Sequence, residues 1–140
     1  MNWQIQFTVA IAPSPKGRPR FAARGGRAIA YTPKKTLLWE ARFRELSAPY
    51  RPAPKIDEPV DLELSFCIAR PARLKRPRDL DGPIPYDGRP DLDNLVKAAM
   101  DGLDDFWLDD ALVVRLESRK LYCARDQDPC VVVSIRPTSL

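Results

Sequence analysis

The sequence predicts an α/β domain of the α+β kind, with a mixed β-sheet of about four to five strands and two main helices. Apolar and polar residues alternate strictly in residues 2–11 and 60–68, which is typical of strands. Apolar residues follow helical spacing in residues 33–48 and 91–103. With 140 residues and 44% apolar composition, one domain spanning residues 1–140 can bury a core of its own.

The N-terminal part combines a strand with a basic connection. The segment NWQIQFTVAI predicts the first strand, and PSPKGRPRFAARGGRAIAYTPKK after it is rich in Pro, Gly and Arg. We expect a long surface connection there, with a short hairpin turning at Gly25 and Gly26. The apolar residues that share one face of the first strand are Trp3, Ile5, Phe7, Val9 and Ile11.

A helix is predicted from about Pro33 to Ala48, with Thr32 as its capping residue and Pro33 in its first turn. Its apolar stripe contains Trp39, Phe43 and Leu46. The proline-rich stretch from 49 to 59 ends it. The basic residues expected outside the stripe are Lys34, Lys35, Arg42 and Arg44.

The second strand, residues 60–68, alternates apolar residues with Asp61, Glu63 and Ser65, which predicts one solvated face. Residues 70–90 contain five prolines and six basic residues, so we expect a mobile basic surface loop. Such a loop is either merely solvated or in contact with a phosphate backbone.

Asp91 begins the second helix, which we expect to continue to Leu103. The segment Phe106-Trp107-Leu108 should pack in the core, and strands are expected at 111–122 and 130–136, joined by a turn at 124–129. The apolar face of the helix carries Leu92, Leu95, Val96, Ala99, Met100 and Leu103. The opposite face carries Asp93, Asn94, Lys97, Asp101 and Asp104.

Charge is distributed unevenly along the chain. Residues 1–56 carry 11 Lys/Arg and 2 Glu, whereas residues 57–140 carry 12 Lys/Arg and 17 Asp/Glu. This suggests a surface for a polyanion beside an acidic site. The chain contains no histidine, which excludes Ser-His-Asp and Cys-His catalysis and His-ligated zinc. Carboxylates with an oxygen-preferring metal remain for hydrolytic chemistry.

The acidic stretch from 91 to 110 has two interpretations. In the first, Asp91 caps the helix, Asp93 favours the helix dipole and pairs with Lys97, and the other acids are ordinary surface. In the second, Asp109 or Asp110 returns to the helix start, and two carboxylates about 4 Å apart repel by roughly 4 kcal/mol at an effective dielectric of 20. Mg²⁺ or Mn²⁺ would remove that repulsion, and Lys97 would neutralise charge on a phosphate.

The segments DLDNLVKAAMDGL (91–103), FWLDDALV (106–113) and PSPKGRPRFAARGGRAIAYTPKKT (13–36) resemble the RusA family of Holliday junction resolvases, many of them encoded by phages or prophages. The resemblance covers about residues 5 to 122. It implies a homodimeric, Mg²⁺-dependent endonuclease that nicks opposite strands of a four-way DNA junction in recombination and repair. It further implies that Asp91, Asp93 and Asp110 bind the metal, with Asp109 as the alternate third ligand, and that Lys97 is catalytic.

Other expectations complete the sequence analysis. The three cysteines are odd in number and lack zinc-ligand spacing, so we expect them to be buried or incidental. We expect a cytoplasmic protein with no membrane partner and no small-molecule cofactor. The alternatives are a non-catalytic protein that binds branched DNA, or a metal-dependent nuclease for RNA or flaps. The residues expected to contact DNA are Lys16, Arg18, Arg20, Arg24, Arg27, Lys34, Lys35, Arg73, Lys75, Arg76 and Arg78.

Overall fold

A computed structural model describes residues 2–139 and confirms the α+β class. Two sheets and two main helices are present, with the central strands and both helices close to where the apolar patterns place them. The elements are β1 (Ile5–Val9), β2 (Arg20–Arg24), β3 (Arg27–Tyr31), α1 (Lys34–Ser47), β4 (Val60–Ile68), β5 (Ile84–Pro85), α2 (Leu92–Gly102), β6 (Val113–Tyr122) and β7 (Cys130–Pro137).

The main sheet has five strands in the order β1-β7-β4-β6-β5. Only β4 and β6 run parallel, and the other neighbours are antiparallel, so the sheet is mixed as predicted. The short β5 was not predicted, because two residues carry no periodic pattern. The polar turn at 124–129 connects β6 to β7, but β4 lies between these two strands in the sheet.

The prediction of one solvated face for β4 is wrong at two positions. Asp61 and Ser65 are buried, because β4 is the middle strand of the sheet. The burial is compensated by hydrogen bonds: Thr138 Oγ1 donates to Asp61 Oδ1 at 2.9 Å, and Arg119 Nε donates to Ser65 Oγ at 3.0 Å. Residues of β6 and of the segment directly after β7 therefore satisfy Asp61 and Ser65.

Helix α1 begins one residue later than predicted. Pro33 is the N-cap, and no side chain caps the helix, so the predicted cap by Thr32 is wrong. The stripe is also shifted, since Phe43 is buried whereas Trp39 and Leu46 lie at its edge. The buried residues of α1 are Thr36, Glu40, Phe43 and Ser47. Polar residues occupy this stripe because the segment before β2 packs there, where Gly17 N donates to Thr36 Oγ1 at 3.0 Å.

Helix α2 packs on the sheet through the predicted face, and Leu95, Ala99 and Leu103 are fully buried. The expectation that residues 106–108 enter the core is correct for Phe106 and Trp107 only. Leu108 is wrongly predicted and is 62% exposed. Its backbone bonds to the carbonyl of Ile56, and the extended conformation turns the side chain of Leu108 to the side opposite Trp107.

The hairpin predicted at Gly25 and Gly26 is confirmed. β2 and β3 form a separate two-stranded antiparallel sheet, and the two glycines have φ values of 56° and 76°. Positive φ at both turn positions is the conformation that two-residue hairpin loops prefer and that glycine adopts without strain.

The expected loop from 70 to 90 contains more structure than predicted. Arg70 is buried and donates to three backbone carbonyls, those of Leu74 and Gly82 in the loop and that of Cys123 beyond β6. These bonds fix both halves of the loop to the end of the main sheet. Residues Ala72–Leu74 form a 3-10 turn, and β5 lies in the same segment.

The three cysteines are buried together beside β4 and β7, as expected. Burial, together with the neighbouring Cys130, raises the pKa of Cys67 to about 12. This thiol therefore stays protonated at neutral pH and is a poor nucleophile or metal ligand. None of the helices within residues 2–139 is both long and apolar enough to cross a membrane.

We expect Gly102→Ala to destabilise the fold by about 1–3 kcal/mol. A Cβ at Gly102 would lie 2.6 Å from Cδ1 of Phe43, whose ring is fully buried between the two helices and cannot move away freely. Chemical denaturation of both proteins measures the difference. The control is Gly82→Ala, since a Cβ there meets no atom within 4 Å. An unchanged midpoint for Gly102→Ala would show that the helices separate easily.

Candidate active site

Asp91 is the N-cap of α2 by its backbone conformation, but its side chain makes no capping hydrogen bond. Its carboxylate is 56% exposed and is contacted by Arg89 Nη1 at 3.2 Å, on an arginine that is itself almost fully exposed. Asp93 and Lys97 are exposed as well, and neither forms an ion pair within residues 2–139. The interpretation in which Asp91 caps the helix and Asp93 pairs with Lys97 is therefore wrong.

A second group of acids, at the C-terminal end of α2, is paired with arginines of α1 and of the segment after it. Arg44 donates to the carboxylate of Asp104 at 2.5 Å and to the carbonyl of Asp101. Arg51 Nη1 lies 3.1 Å from the carboxylate of Asp105. The Asp104 hydrogen bond, stronger than the opposing effect of burial, raises the pKa of Arg44. These acids bind the C-terminal end of α2 to α1. At the N-terminal end of α2, by contrast, Asp93 has no ion-pair partner within residues 2–139, and Asp91 is contacted by the exposed Arg89 alone.

Lys16 belongs to this structural group. Its Nζ lies 2.7 Å from Glu40 and 2.9 Å from Asp101, and its backbone N donates to the carbonyl of Asn94. Burial lowers the pKa of Lys16, but the hydrogen bonds from its amine to Glu40 and Asp101 outweigh that effect, so the pKa is raised overall. Lys16 was expected to contact DNA, and the structure places it between α1 and α2 instead.

Asp109 and Asp110 stand just before β6 and have different partners. Asp109 Oδ1 accepts from the backbone N of Ala111 at 2.8 Å and so caps the 3-10 turn Asp110–Leu112. Asp110 Oδ1 accepts from Nε1 of the buried Trp107 at 2.8 Å. The indole fixes one oxygen of Asp110, and the other has no bond within residues 2–139.

Lys120, on β6, is a residue of this region that the sequence did not reveal. Its Nζ donates to the carbonyls of Gly88 and Pro90 at 2.6 and 2.9 Å, and lies 5.2 Å from the ring centroid of Tyr86. Lys120 thus fixes the residues directly before Asp91. No local pattern distinguishes it from the exposed cations of β6, because its partners lie 30 residues or more away in sequence.

Asp91 and Asp110 lie at opposite ends of the site. Lys120, near the end of β6, bonds the carbonyl of Pro90, so Asp91 lies at that end of the strand. Asp110 precedes Val113, the first residue of β6. The distance between Val113 and Lys120 is about 23 Å at ~3.3 Å per residue. Two oxygen ligands of one Mg²⁺ stand at most about 4.2 Å apart. The convergence of these acids within one chain is therefore not found, and no three acidic or thiol side chains in residues 2–139 cluster as a metal site.

The remaining basic residues differ in their partners. Arg76 bonds Asp79 within the 70–90 segment, at 3.3 Å. The other expected DNA contacts form no ion pair with any residue from 2 to 139. These unpaired cations are Arg18, Arg20, Arg24, Arg27, Lys34, Lys35, Arg73, Lys75 and Arg78. The hairpin and the start of α1 hold five of them and Arg18 lies just before the hairpin, which makes this arm strongly basic.

Exposed carboxylates and an exposed lysine at a helix start, in an α+β fold that also carries a basic arm, suit a protein that acts on nucleic acid. Residues 10–136 match the protein family described as endodeoxyribonuclease RusA. The chain belongs to this family and is an endodeoxyribonuclease by class. It is also similar to "Uncharacterized protein YqaN" of Bacillus subtilis (strain 168), with 30% identity over 141 residues that cover 96% of this chain and 97% of the relative.

Proposed function

We propose that this single-domain protein is a Mg²⁺-dependent endodeoxyribonuclease that resolves four-way DNA junctions by symmetric nicking, in recombination and repair. The observation that supports it most directly is the state of Asp91, an N-cap aspartate that does not cap. An Asp at this position ordinarily stabilises the helix by about 1 kcal/mol through its side chain. Here the carboxylate remains available beside Asp93 and Lys97.

The donor chemistry of the proposed ligands suits a hard cation. Asp91, Asp93 and Asp110, with Asp109 as the alternate, offer only carboxylate oxygens, which suit Mg²⁺ and also Mn²⁺. A bound divalent ion of this kind activates water and neutralises charge on a phosphodiester. The buried Trp107 holds Asp110 in one orientation through its indole N–H, whereas Asp109 is used in a local turn. This difference favours Asp110 as the third ligand.

The roles of the basic residues follow from their partners. Lys97 lies on the exposed face of α2, one turn after Asp93, and is free to approach a phosphate oxygen whose charge increases during the reaction. The nine unpaired cations would contact the DNA backbone, so binding should weaken steeply with salt. Lys16 is not among them, since two carboxylates already hold its ammonium.

We propose a homodimer formed along the free edge of β6. β4 pairs with one edge of this strand, but on the other edge β5 reaches only Leu121 and Tyr122. The free part includes the exposed apolar residues Val114 and Leu116. Antiparallel pairing of two copies about Leu116 would place Arg115 opposite the partner's Glu117 on both sides of the two-fold axis.

Such a dimer would bring the separated acids together. Because the two strands run in opposite directions, the start of one β6 lies level with the end of the other. Asp110 of one chain would then stand near residues 120–122 of its partner, the level at which Lys120 holds the segment before Asp91. Each metal site would combine Asp91 and Asp93 from one chain with the partner's Asp110.

The proposed function is tested with a synthetic four-way junction, incubated with the protein and either Mg²⁺ or EDTA, alongside duplex and flap controls. We expect paired nicks at symmetric positions in the junction with Mg²⁺ only. Junction binding without nicking at any Mg²⁺ or Mn²⁺ concentration would instead identify a non-catalytic binding protein. Faster cleavage of flaps or of RNA at equal salt would identify a nuclease for other structures.

Lys120→Met should reduce Mg²⁺-dependent nicking by roughly 10-fold or more, because partners that orient ligands typically contribute that much. The change keeps an apolar stem of similar length but releases the carbonyls of Gly88 and Pro90. Nicking rates at several Mg²⁺ concentrations measure the effect. Arg119→Met on the same strand is the control, since Arg119 bonds Ser65 on the other face of the sheet. Equal losses in both variants would contradict a specific role for Lys120.

A further inference from the structure

The hairpin formed by β2 and β3 has two chemically different faces. Cross-strand partners share a face, so Phe21 and Ala30 lie together with the pair Ala23 and Ala28. The opposite face carries Arg20, Tyr31, Ala22, Ile29, Arg24 and Arg27. One face is thus apolar and flat apart from the ring of Phe21, and the other combines three arginines with the exposed Tyr31 and Ile29.

Phe21 is the most exposed large apolar residue of the hairpin, at 71%. Its neighbours on the same face are alanines, whose methyl groups leave the upper side of the ring open. A two-stranded ribbon standing alone is only marginally stable in water, and this one forms no ladder with the main sheet. An exposed phenyl on such a ribbon contributes little to its stability, which suggests that the ring has a partner elsewhere.

The charge of the arm indicates what that partner is. The chain contains no Asp or Glu before Glu40, so every ionised side chain of the hairpin and its flanks is positive. Arg20, Arg24 and Arg27 on the ribbon form no ion pair with residues 2–139. A second copy of the same arm would bring like charges together, which is unfavourable. A nucleic acid supplies both phosphates for the arginines and flat bases for the phenyl ring.

We propose that the hairpin enters the branch point of the DNA, where Phe21 stacks on an exposed base and the arginines of the other face contact phosphates. Between its ends, a continuous duplex offers no exposed base face, because every base is covered by its neighbours. At an open branch point the innermost base pair of each arm lacks one neighbour, so a ring can stack there without breaking a stack. The hairpin would therefore favour branched DNA over duplex DNA. This inference rests on the proposed function and names the part of the chain that recognises the branch.

The test measures binding in EDTA, so that cleavage plays no part, using a four-way junction and a duplex of the same sequence. Phe21→Ala should weaken junction binding about 5- to 150-fold, the range that one base-aromatic stack provides, and change duplex binding less than about 2-fold. Phe21→Trp should retain junction binding. Leu80→Ala is the matched control, since Leu80 is 69% exposed in the other basic segment but is not aromatic. It should bind both DNAs as the wild type does.

A second readout uses 2-aminopurine at the branch point or well inside one arm. The wild-type protein should change the fluorescence of the branch-point base only, and Phe21→Ala should abolish that change. Equal junction affinity of Phe21→Ala and wild type would overturn the inference and leave the proposed function intact. So would a loss of dimers in Phe21→Ala, which would identify a second copy as the partner of the ring. If wild type itself shows no preference for the junction, both the proposed junction specificity and this inference fail.

Discussion

Asp91→Asn is expected to lower Mg²⁺-dependent junction nicking by more than about 100-fold, the upper range for loss of a residue that merely orients a metal ligand. Asn accepts hydrogen bonds and is as good an N-cap as Asp, so the helix keeps its capping potential. Asp91 makes no capping bond in any case. The variant should therefore unfold at the temperature of the wild type and bind the junction at least as tightly. Rate measurements at saturating protein separate cleavage from binding.

The control for this change is Asp104→Asn. Asp104 is an acid of the same stretch, but its carboxylate is bound by Arg44 at 2.5 Å. Because this pair is partly exposed, its loss should reduce stability by at most about 1 kcal/mol and leave nicking unchanged. If Asp91→Asn nicked junctions at the wild-type rate, Asp91 would be an ordinary surface residue, and the proposed metal site would lose its main support.

Mixing Asp91→Asn with Asp110→Asn in equal amounts should restore nicking to about half of the dimers, namely those with one chain of each kind. In a dimer with one chain of each kind, one site combines both asparagines and the other combines the intact Asp91 and Asp110. Each such dimer has one working site, so single nicks should replace the paired nicks of the wild type. The measurement compares nicking by the two variants separately and after joint refolding.

The outcome separates two arrangements of the site. If both acids acted within one chain, every site in the mixed dimer would contain one asparagine, and the mixture would remain as inactive as its components. Mixing Asp91→Asn with Asp109→Asn provides a parallel comparison, because Asp109 serves a local turn. Asp109→Asn alone should nick almost normally. Full inactivity of that variant would make Asp109 the third ligand.

The parts of the fold that sequence predicted are those with a local signal. The i, i+3, i+7 spacing of Leu92, Leu95 and Ala99 predicted α2 because each turn of a helix repeats the same environment. The adjacent Gly25 and Gly26 predicted the hairpin turn for an equally local reason, since both need positive φ. These predictions depend on residues within one element and are unaffected by its neighbours.

The errors arise where a distant segment changes the environment. The alternation of apolar and polar residues in β4 predicted that Asp61 is exposed. It is buried, because β4 lies between β7 and β6 in the sheet. Lys16 looked like a DNA contact, but Glu40 and Asp101 from two helices surround its ammonium. Sequence spacing carries no information on which elements pack together, so charge alone could not separate Lys16 from the free arginines of the hairpin.

The candidate site shows the same limit. The start of α2 was predicted well, and its exposed carboxylates are where the pattern placed them. The meeting of Asp91 with Asp110 in one chain was not found, because α2 and β6 run in opposite directions and carry the two acids to opposite ends. Strand direction is a property of the topology, which the local pattern of the sequence does not contain.

The opposite course of α2 and β6 also bears on how two cuts are coordinated. In the proposed dimer the two catalytic centres lie at the two ends of one β6 pair. The length of β6 therefore sets the distance between them. A rigid ladder keeps that spacing while the DNA bends. The two nicks should therefore keep one spacing at every angle between the arms of the junction.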